Sequence, residues 1–183
     1  VRTKKIVLVS LFAALMAAGA FIKIPIPYVP ITMQFFFSAY SGIILGPWLG
    51  FFSQLIYIAI GLTGIPVFAN GGGPGYVFQP TFGYVLGFAF GSMVSGYVYN
   101  KFSRQDFWAI FFSMFAGLMV IYSFGLPYLY LVYSAYLGNP KTVSWVLYWG
   151  FCTSIIGDAI VCVVSSKMGA RMIPIIKKKI AFE

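Results

Sequence analysis

Phe151-Cys152-Thr153-Ser154-Ile155-Ile156-Gly157-Asp158-Ala159-Ile160-Val161-Cys162-Val163-Val164 is an apolar run with one carboxylate at its centre and no basic residue within a helical turn of it. In a membrane span an aspartate costs about 3 kcal/mol or more to insert, so such a group serves a pathway, a partner or a ligand. Asp158 is one of three acidic residues among 183, which makes it the first functional lead.

The rest of the chain sets the solvent. Hydrophobic residues make up 61% and charged ones 8%, histidine is absent, and the mean hydropathy is +0.92. No water-soluble surface accommodates that composition, so the chain reads as an all-α integral membrane protein. Apolar runs cover Ile6 to Ile22, Ile31 to Leu45, Trp48 to Leu62, Thr81 to Tyr99, Phe107 to Leu137 and Val143 to Ile173. With about 20 residues needed to cross a bilayer, six transmembrane helices are expected, in a single transmembrane domain over 1–183. The second and third runs are short and meet at Leu45-Gly46-Pro47. Proline cannot continue a helix without losing a hydrogen bond, so the break reads as a tight hairpin, with one long broken segment as the alternative. Arg2, Lys4 and Lys5 ahead of an apolar stretch ending near Gly19-Ala20 also outline a signal peptide. A membrane span is the preferred reading, and the five later runs keep the chain in the membrane either way.

Lysine and arginine orient the bundle. With both termini inside, the inner segments hold nine basic residues: Arg2, Lys4, Lys5, Lys101, Arg104, Arg171, Lys177, Lys178 and Lys179. The outer loops then hold two, Lys23 and Lys141, so the topology is N-in/C-in in a multi-pass cell-membrane protein. The net charge of +9 is therefore a topology signal and a contact for anionic lipid, and nucleic acid is not expected as a partner. Cys152 and Cys162 lie about 15 Å apart along one helix, too far for a disulfide, and without histidine a zinc site is not expected either. Both cysteines read as small packing residues. Lys167 follows Asp158 by nine residues, which puts it on roughly the opposite face and about 13 Å further along, so it reads as snorkelling to the inner surface.

The two outer loops are unusual. Lys23-Ile24-Pro25-Ile26-Pro27-Tyr28-Val29-Pro30 has three prolines within six residues, which makes a stiff apolar strap suited to a lid or wall. Ile65 to Pro80 mixes Asn70-Gly71-Gly72-Gly73-Pro74-Gly75 with Phe68, Tyr76 and Phe78 to bury and bare backbone N–H groups to offer, a loop built to fold back over something. It lacks the lysine and serine or threonine of a phosphate cradle, and no ATP-binding motif is present. Thr32, Gln34, Gln79 and Thr81 flank these loops, and Gln54, Ser154 and Asp158, with Tyr57, Tyr76, Tyr84, Tyr122, Tyr128 and Tyr136, add further polar groups that need partners in lipid. Their convergence points to an outward cavity with aromatic walls and a few fixed polar groups. Small residues recur at four-residue spacing. Gly83, Gly87 and Gly91 read as internal helix packing, while Ala13, Ala14, Ala17 and Ala18 serve either packing or a membrane partner.

Five ordered motifs now carry a resemblance: Val29-Pro30-Ile31-Thr32-Met33-Gln34, Leu45-Gly46-Pro47-Trp48-Leu49-Gly50, Ser53-Gln54-Leu55-Ile56-Tyr57, Gly64-Ile65-Pro66-Val67-Phe68-Ala69 with its three glycines, and Pro80-Thr81-Phe82-Gly83-Tyr84-Val85-Leu86-Gly87-Phe88. Together with Gly157-Asp158 they resemble the BioY family, the biotin-binding S components of energy-coupling factor (ECF) vitamin transporters. The match is dense from about residue 24 to 100 and weak from 101 to 150. The resemblance implies a six-helix S component that captures biotin on the outer side without a cofactor. It also implies a transmembrane coupling subunit and two ATP-binding cassette ATPases as partners. The alanine strip Ala13, Ala14, Ala17 and Ala18 matches the motif with which S components meet the coupling subunit.

Biotin offers two ureido N–H donors, a ureido carbonyl, an apolar thiophane ring and a carboxylate. Carboxylate or amide oxygens suit the donors, amide or backbone N–H groups the carbonyl, and aromatics the sulfur ring. Asp158, Asn70, Gln79, Gln34 and Gln54 fit the first two tasks, Asp158 and Asn70 foremost, with Thr32, Tyr84 and Gly73 as further candidates. One departure stands out. The family's Gly-Asp pair is usually followed by a lysine three residues on, and here that position is Val161. The vitamin's carboxylate is then left to Lys23, Lys167, the glycine loop's N–H groups or water. The competing readings are an autonomous proton-coupled carrier with Asp158 as relay, and a structural membrane subunit in which Asp158 pairs with a partner chain. A membrane enzyme is not expected from one buried acid with no histidine and no metal cluster.

Overall fold

The computed structural model describes residues 2–180, so the ends of the expected 1–183 domain lie outside the described residues. Helix α1 (Arg2–Phe21) leads into a two-stranded antiparallel ribbon, β1 (Lys23–Ile24) and β2 (Ile31–Thr32), and then α2 (Gln34–Leu45) and α3 (Pro47–Leu62). A 3₁₀ turn (Pro74–Phe78) precedes α4 (Phe82–Tyr99). Helix α5 (Phe107–Leu131) continues through a π-helical turn, Val132–Tyr136. Helix α6 starts as Val143–Leu147, passes through a second π turn, Tyr148–Cys152, and runs on as Thr153–Ile180. Six helices are present. Among the described residues three, Thr3–Phe21, Phe107–Tyr136 and Val143–Lys179, are long and apolar enough to cross a membrane by length and composition. The 12-residue α2 reaches only about 18 Å, short of a bilayer core.

The Gly-Pro break is a hairpin. Gly46 takes φ 93°, Pro47 occupies the first turn of α3, and pairs on either side of the break meet: Gln34 with Tyr57, and Ser41 with Gln54. One long broken segment is thereby excluded. Helix α2 is buried along nearly its whole length, from Gln34 to Leu45, because α1, α3, α4, α5 and α6 all pack on it. In lipid such packing rests on close van der Waals contact and on hydrogen bonds between helices. Gly42 sits so close to the Ser92 carbonyl that no Cβ fits, and Gly83, Gly87 and Gly91 of α4 lie against the backbone and side chains of α5 at Ile121, Phe124 and Tyr128. The expected internal role of those three glycines is what the structure contains.

Successive helices alternate in direction. One end of the bundle therefore carries segments 22–33, 63–81 and 137–142 and is called the loop end below; the other carries both chain ends, where Lys4 Nζ donates to the Lys179 carbonyl at 2.9 Å. Ala13 is buried, Ala17 half-buried, and Ala14 and Ala18 exposed, so the alanine strip divides between the core and the outer face of α1. Cys162 packs in the core as read from the sequence, whereas Cys152 is exposed at the π turn.

Candidate functional site

A cavity lies between α2, α4, α5 and α6 at the loop end. Asp158, Tyr122, Leu118, Ile121 and Phe88 line its depth, and Phe35, Tyr84, Val85 and Ser154 its sides. Val29, Pro30, Ile31, Thr32, Ala69, Tyr76 and Thr81 surround the loop-end part. Along α4 the lining descends from Thr81 to Phe88, about 10 Å at 1.5 Å per residue. The mainly apolar and aromatic lining suits a small molecule held by a few polar groups.

Each wall has a local cause. The Pro-rich strap pairs Lys23 with Thr32 and Ile24 with Ile31, so its return arm, Val29 to Thr32, becomes a wall of the cavity. Its tip is pinned by Tyr28, which takes φ 69°, unusual outside glycine, and packs edge-on against Trp145 at 4.7 Å, Trp149 at 5.1 Å and Tyr133 at 6.4 Å. In the glycine loop Phe68 and Tyr76 are buried as expected, but Phe78 is exposed and stacks on Tyr136 at 4.7 Å. Burial pushes the Tyr76 phenol up from its ordinary value, so it stays a neutral hydroxyl.

Asp158 is 9% exposed, and the Tyr122 hydroxyl donates to its Oδ2 at 2.6 Å. Among the described residues no cation pairs with it. A carboxylate has about four acceptor positions, and Tyr122 fills one. One turn earlier on the same face, Ser154 is 4% exposed and its Oγ has no hydrogen-bond partner. Thr81 Oγ1 likewise lacks a well-aligned partner, although the Tyr76 phenol is close enough to interact with it. Buried polar atoms are nearly always paired, so orphaned ones on a cavity wall point to a ligand or to water. The π turn preceding Ser154 shifts the helical hydrogen-bond register, and the Gly150 carbonyl there accepts from Tyr84 Oη at 2.9 Å.

Of the residues expected in the site, Asp158, Gln34, Thr32 and Tyr84 line the cavity. The Gln34 amide is partly committed: its Nε2 donates to Tyr57 Oη at 2.7 Å, and Thr32 Oγ1 donates to its Oε1 at 3.2 Å. Asn70, Gly73, Gln79 and Gln54 are not on the lining. Asn70 is exposed beside Lys23, 3.5 Å from Nζ to Oδ1, and its neighbour Ala69 is the residue that reaches the cavity. The Gly73 N–H is spent on the Gly61 carbonyl at 2.7 Å, and exposed Gln79 caps the 3₁₀ turn through its backbone N–H. Gln54 is fully buried between helices and donates to Ser41 at 3.1 Å and Ser53 at 3.0 Å. Lys167 is exposed and off the lining.

Tyr122, Ser154 and Thr81 were named among the polar groups but not among the expected site residues. Ser154 was readable, four residues before Asp158 and hence on its face. The Tyr122 contact spans 36 positions and two helices, and no local pattern announces it.

Residues 1–178 match the model of the BioY family. The probable biotin transporter BioY of Lysinibacillus sphaericus is 42% identical over 170 residues, covering 93% of this chain and 87% of the relative. The biotin transporter BioY of Rhizobium etli is 33% identical over 178 residues, 91% of each chain. In three dimensions the chain resembles the S-component for biotin from an ECF-type ABC transporter, with a TM-score of 0.76 over 100% of this chain and 93% of that one, at 21% identity. That likeness gives the fold as the S-component fold. A family match over nearly the whole length, with relatives of this identity along most of it, means that the chain belongs to the BioY family.

Proposed function

We propose that this chain is the high-affinity biotin-binding S component of an ECF-type ABC transporter and mediates biotin uptake across the cell membrane. The observation that carries the reading is the pairing of a buried carboxylate, braced by Tyr122, with an unpartnered Ser154 hydroxyl on the wall of a cavity lined mainly by apolar and aromatic groups. A ureido ring supplies the N–H donors that Asp158 lacks and a carbonyl for the Ser154 hydroxyl, while Phe35, Phe88 and Tyr84 cover the thiophane. The relatives' printed names and the fold of a biotin S-component support the same ligand.

On this reading the 1–183 chain is one transmembrane domain with both ends in the cytoplasm, and the loop end opens outward. Asp158, Ser154, Tyr122, Thr81, Thr32, Gln34 and Tyr84 form the substrate site. Asn70, Gly73 and Gln79 act through the loop that closes it, and Gln54 braces the helices beneath. Ala14 and Ala18, with Ala17 beside them and Ala13 behind, give α1 a smooth outer strip for the coupling subunit. Separate ATP-binding cassette subunits supply the energy, and the chain itself performs no catalysis and needs no cofactor.

Ligand binding by the purified chain without partners tests this. Tight, biotin-selective, ATP-independent binding by calorimetry is expected. Micromolar or absent binding with no vitamin preference overturns it.

A further inference from the structure

The site has a carboxylate in its depth, and the sequence leaves open what faces the other end of the ligand. We propose that Lys23, from the first strand of the ribbon, is the counter-charge for an anionic tail on the bound ligand and so sets the site's preference for acids over their neutral amides. This inference rests on the reading of the cavity as a biotin site and assigns the carboxylate end of it.

Position is the first ground. Lys23 pairs in register with Thr32, a lining residue, and its ammonium donates to the carbonyl of Ala69, another lining residue, at 2.6 Å. The side chain thus bridges the two loops beside the cavity. Charge is the second ground. Nζ has three donors, and its partners are a neutral carbonyl and, at 3.5 Å, the neutral amide oxygen of Asn70. The chain's acids are Asp106, Asp158 and Glu183. Asp106 caps α5 at the end of the bundle away from the loops, Asp158 is occupied by Tyr122 in the depth, and Glu183 lies outside the described residues. An exposed ammonium held by neutral oxygens beside a cavity lining has a donor left for an anion brought by the ligand.

The alternatives are placed elsewhere. Val161 carries no charge, Lys167 lies nine residues beyond Asp158 on the same helix, towards the end of the bundle away from the loops, and the Gly73 N–H is already bonded to Gly61. Lys141, the other basic residue of the loop end, lies over the rings of Trp145 at 5.2 Å and Tyr133 at 5.7 Å. Its charge is directed to the aromatic cluster that seats Tyr28. The cavity therefore has an acceptor in its depth and a cation bonded to its loop-end lining, an arrangement that suits a ligand with N–H donors on its head and an anion on its tail.

The test compares biotin with biotin amide on the parent chain, Lys23→Gln, Lys23→Arg and Lys141→Gln, at low salt. The parent is expected to prefer biotin. Lys23→Gln is expected to bind biotin about fivefold more weakly, the range for a partly exposed charge pair, while binding the amide as the parent does. Lys23→Arg is expected to keep the preference, and Lys141→Gln to leave both affinities unchanged. A preference for biotin that survives in Lys23→Gln, or that disappears in Lys141→Gln instead, overturns the assignment and leaves the proposed function standing. A parent that binds neither compound overturns both. Because Lys23 is exposed, its variants test charge and not the fold; equal melting temperatures verify this, and equal loss of both ligands in a Lys23→Gln chain of normal melting overturns the assignment.

Discussion

The two ends of the bundle treat polar groups in opposite ways. Below the cavity, serines are spent within the chain: Ser38 donates to the Phe88 carbonyl at 2.8 Å and Ser41 meets Ser92 at 2.8 Å, both between helices, and Ser53 donates to the Gly50 carbonyl of its own helix at 2.6 Å. The orphans there, Gln54 Oε1, Ser95 Oγ and Tyr99 Oη, lie off the cavity lining in glycine-spaced packing. Toward the loop end the lining is apolar with a few polar groups, and its orphans, Ser154 Oγ and Thr81 Oγ1, sit on the cavity wall. The difference is one of placement: the scaffold's serines mostly bond within the chain and its orphans, like Ser134 Oγ near the loop end, lie off the cavity, whereas Ser154 Oγ and Thr81 Oγ1 lie where a ligand can reach them.

The contrast is broken most severely from below. A Cβ on Gly91 would lie 2.9 Å from the Gly117 carbonyl oxygen, so Gly91→Leu forces α4 and α5 apart. The expected loss is about 3 kcal/mol of stability, read as a lowered melting temperature in detergent, with binding lost alongside. Normal melting would show that this contact is not a scaffold. Asp158→Ala is expected to act the other way round. Biotin affinity falls by about 2 kcal/mol while melting is unchanged or raised, because a desolvated charge has been removed. Unchanged affinity moves Asp158 out of the site.

Two smaller substitutions sharpen the boundary. Tyr122→Phe removes the hydroxyl that holds Asp158 and is expected to weaken binding by about 1.5 kcal/mol, measured by calorimetry. An effect on melting alone would return Tyr122 to the scaffold. Ser154→Ala deletes a hydroxyl with no partner in the chain. It is expected to leave the empty protein's melting unchanged and to cost about 1 kcal/mol of affinity; affinity equal to the parent's would mean that the orphan faces water and not the vitamin.

The six helices were legible because hydropathy is a local property, and the hairpin at Gly46-Pro47 because proline's missing N–H acts on its own turn. The strap was legible for the same reason, since its prolines are stiff in any context. Asn70 and Gln79 read as ligand groups by chemistry and loop position, yet the loop folds so that Ala69 lines the cavity and both polar residues are exposed off the lining. Gln54 has the chemistry of a ligand group too, and α2 crosses it before any ligand does. Phe78 was expected to be buried, but its outward direction depends on Tyr136, 58 positions later.

By itself, then, the sequence determined the solvent, the helix count, the breaks between helices, the resemblance to BioY and the presence of one carboxylate with no local counter-charge. Each of these follows from composition or from residues within a turn or two of one another. The tertiary structure alone decided that Tyr122 braces Asp158, that Ser154 Oγ and Thr81 Oγ1 lie on the cavity lining without a well-aligned partner, and that Lys23 reaches Ala69 across two loops. The two bonds join positions 36 and 46 residues apart, and only the packing of the helices, set by where glycine and alanine let backbones approach, and of the loops they carry brings those groups within hydrogen-bond distance.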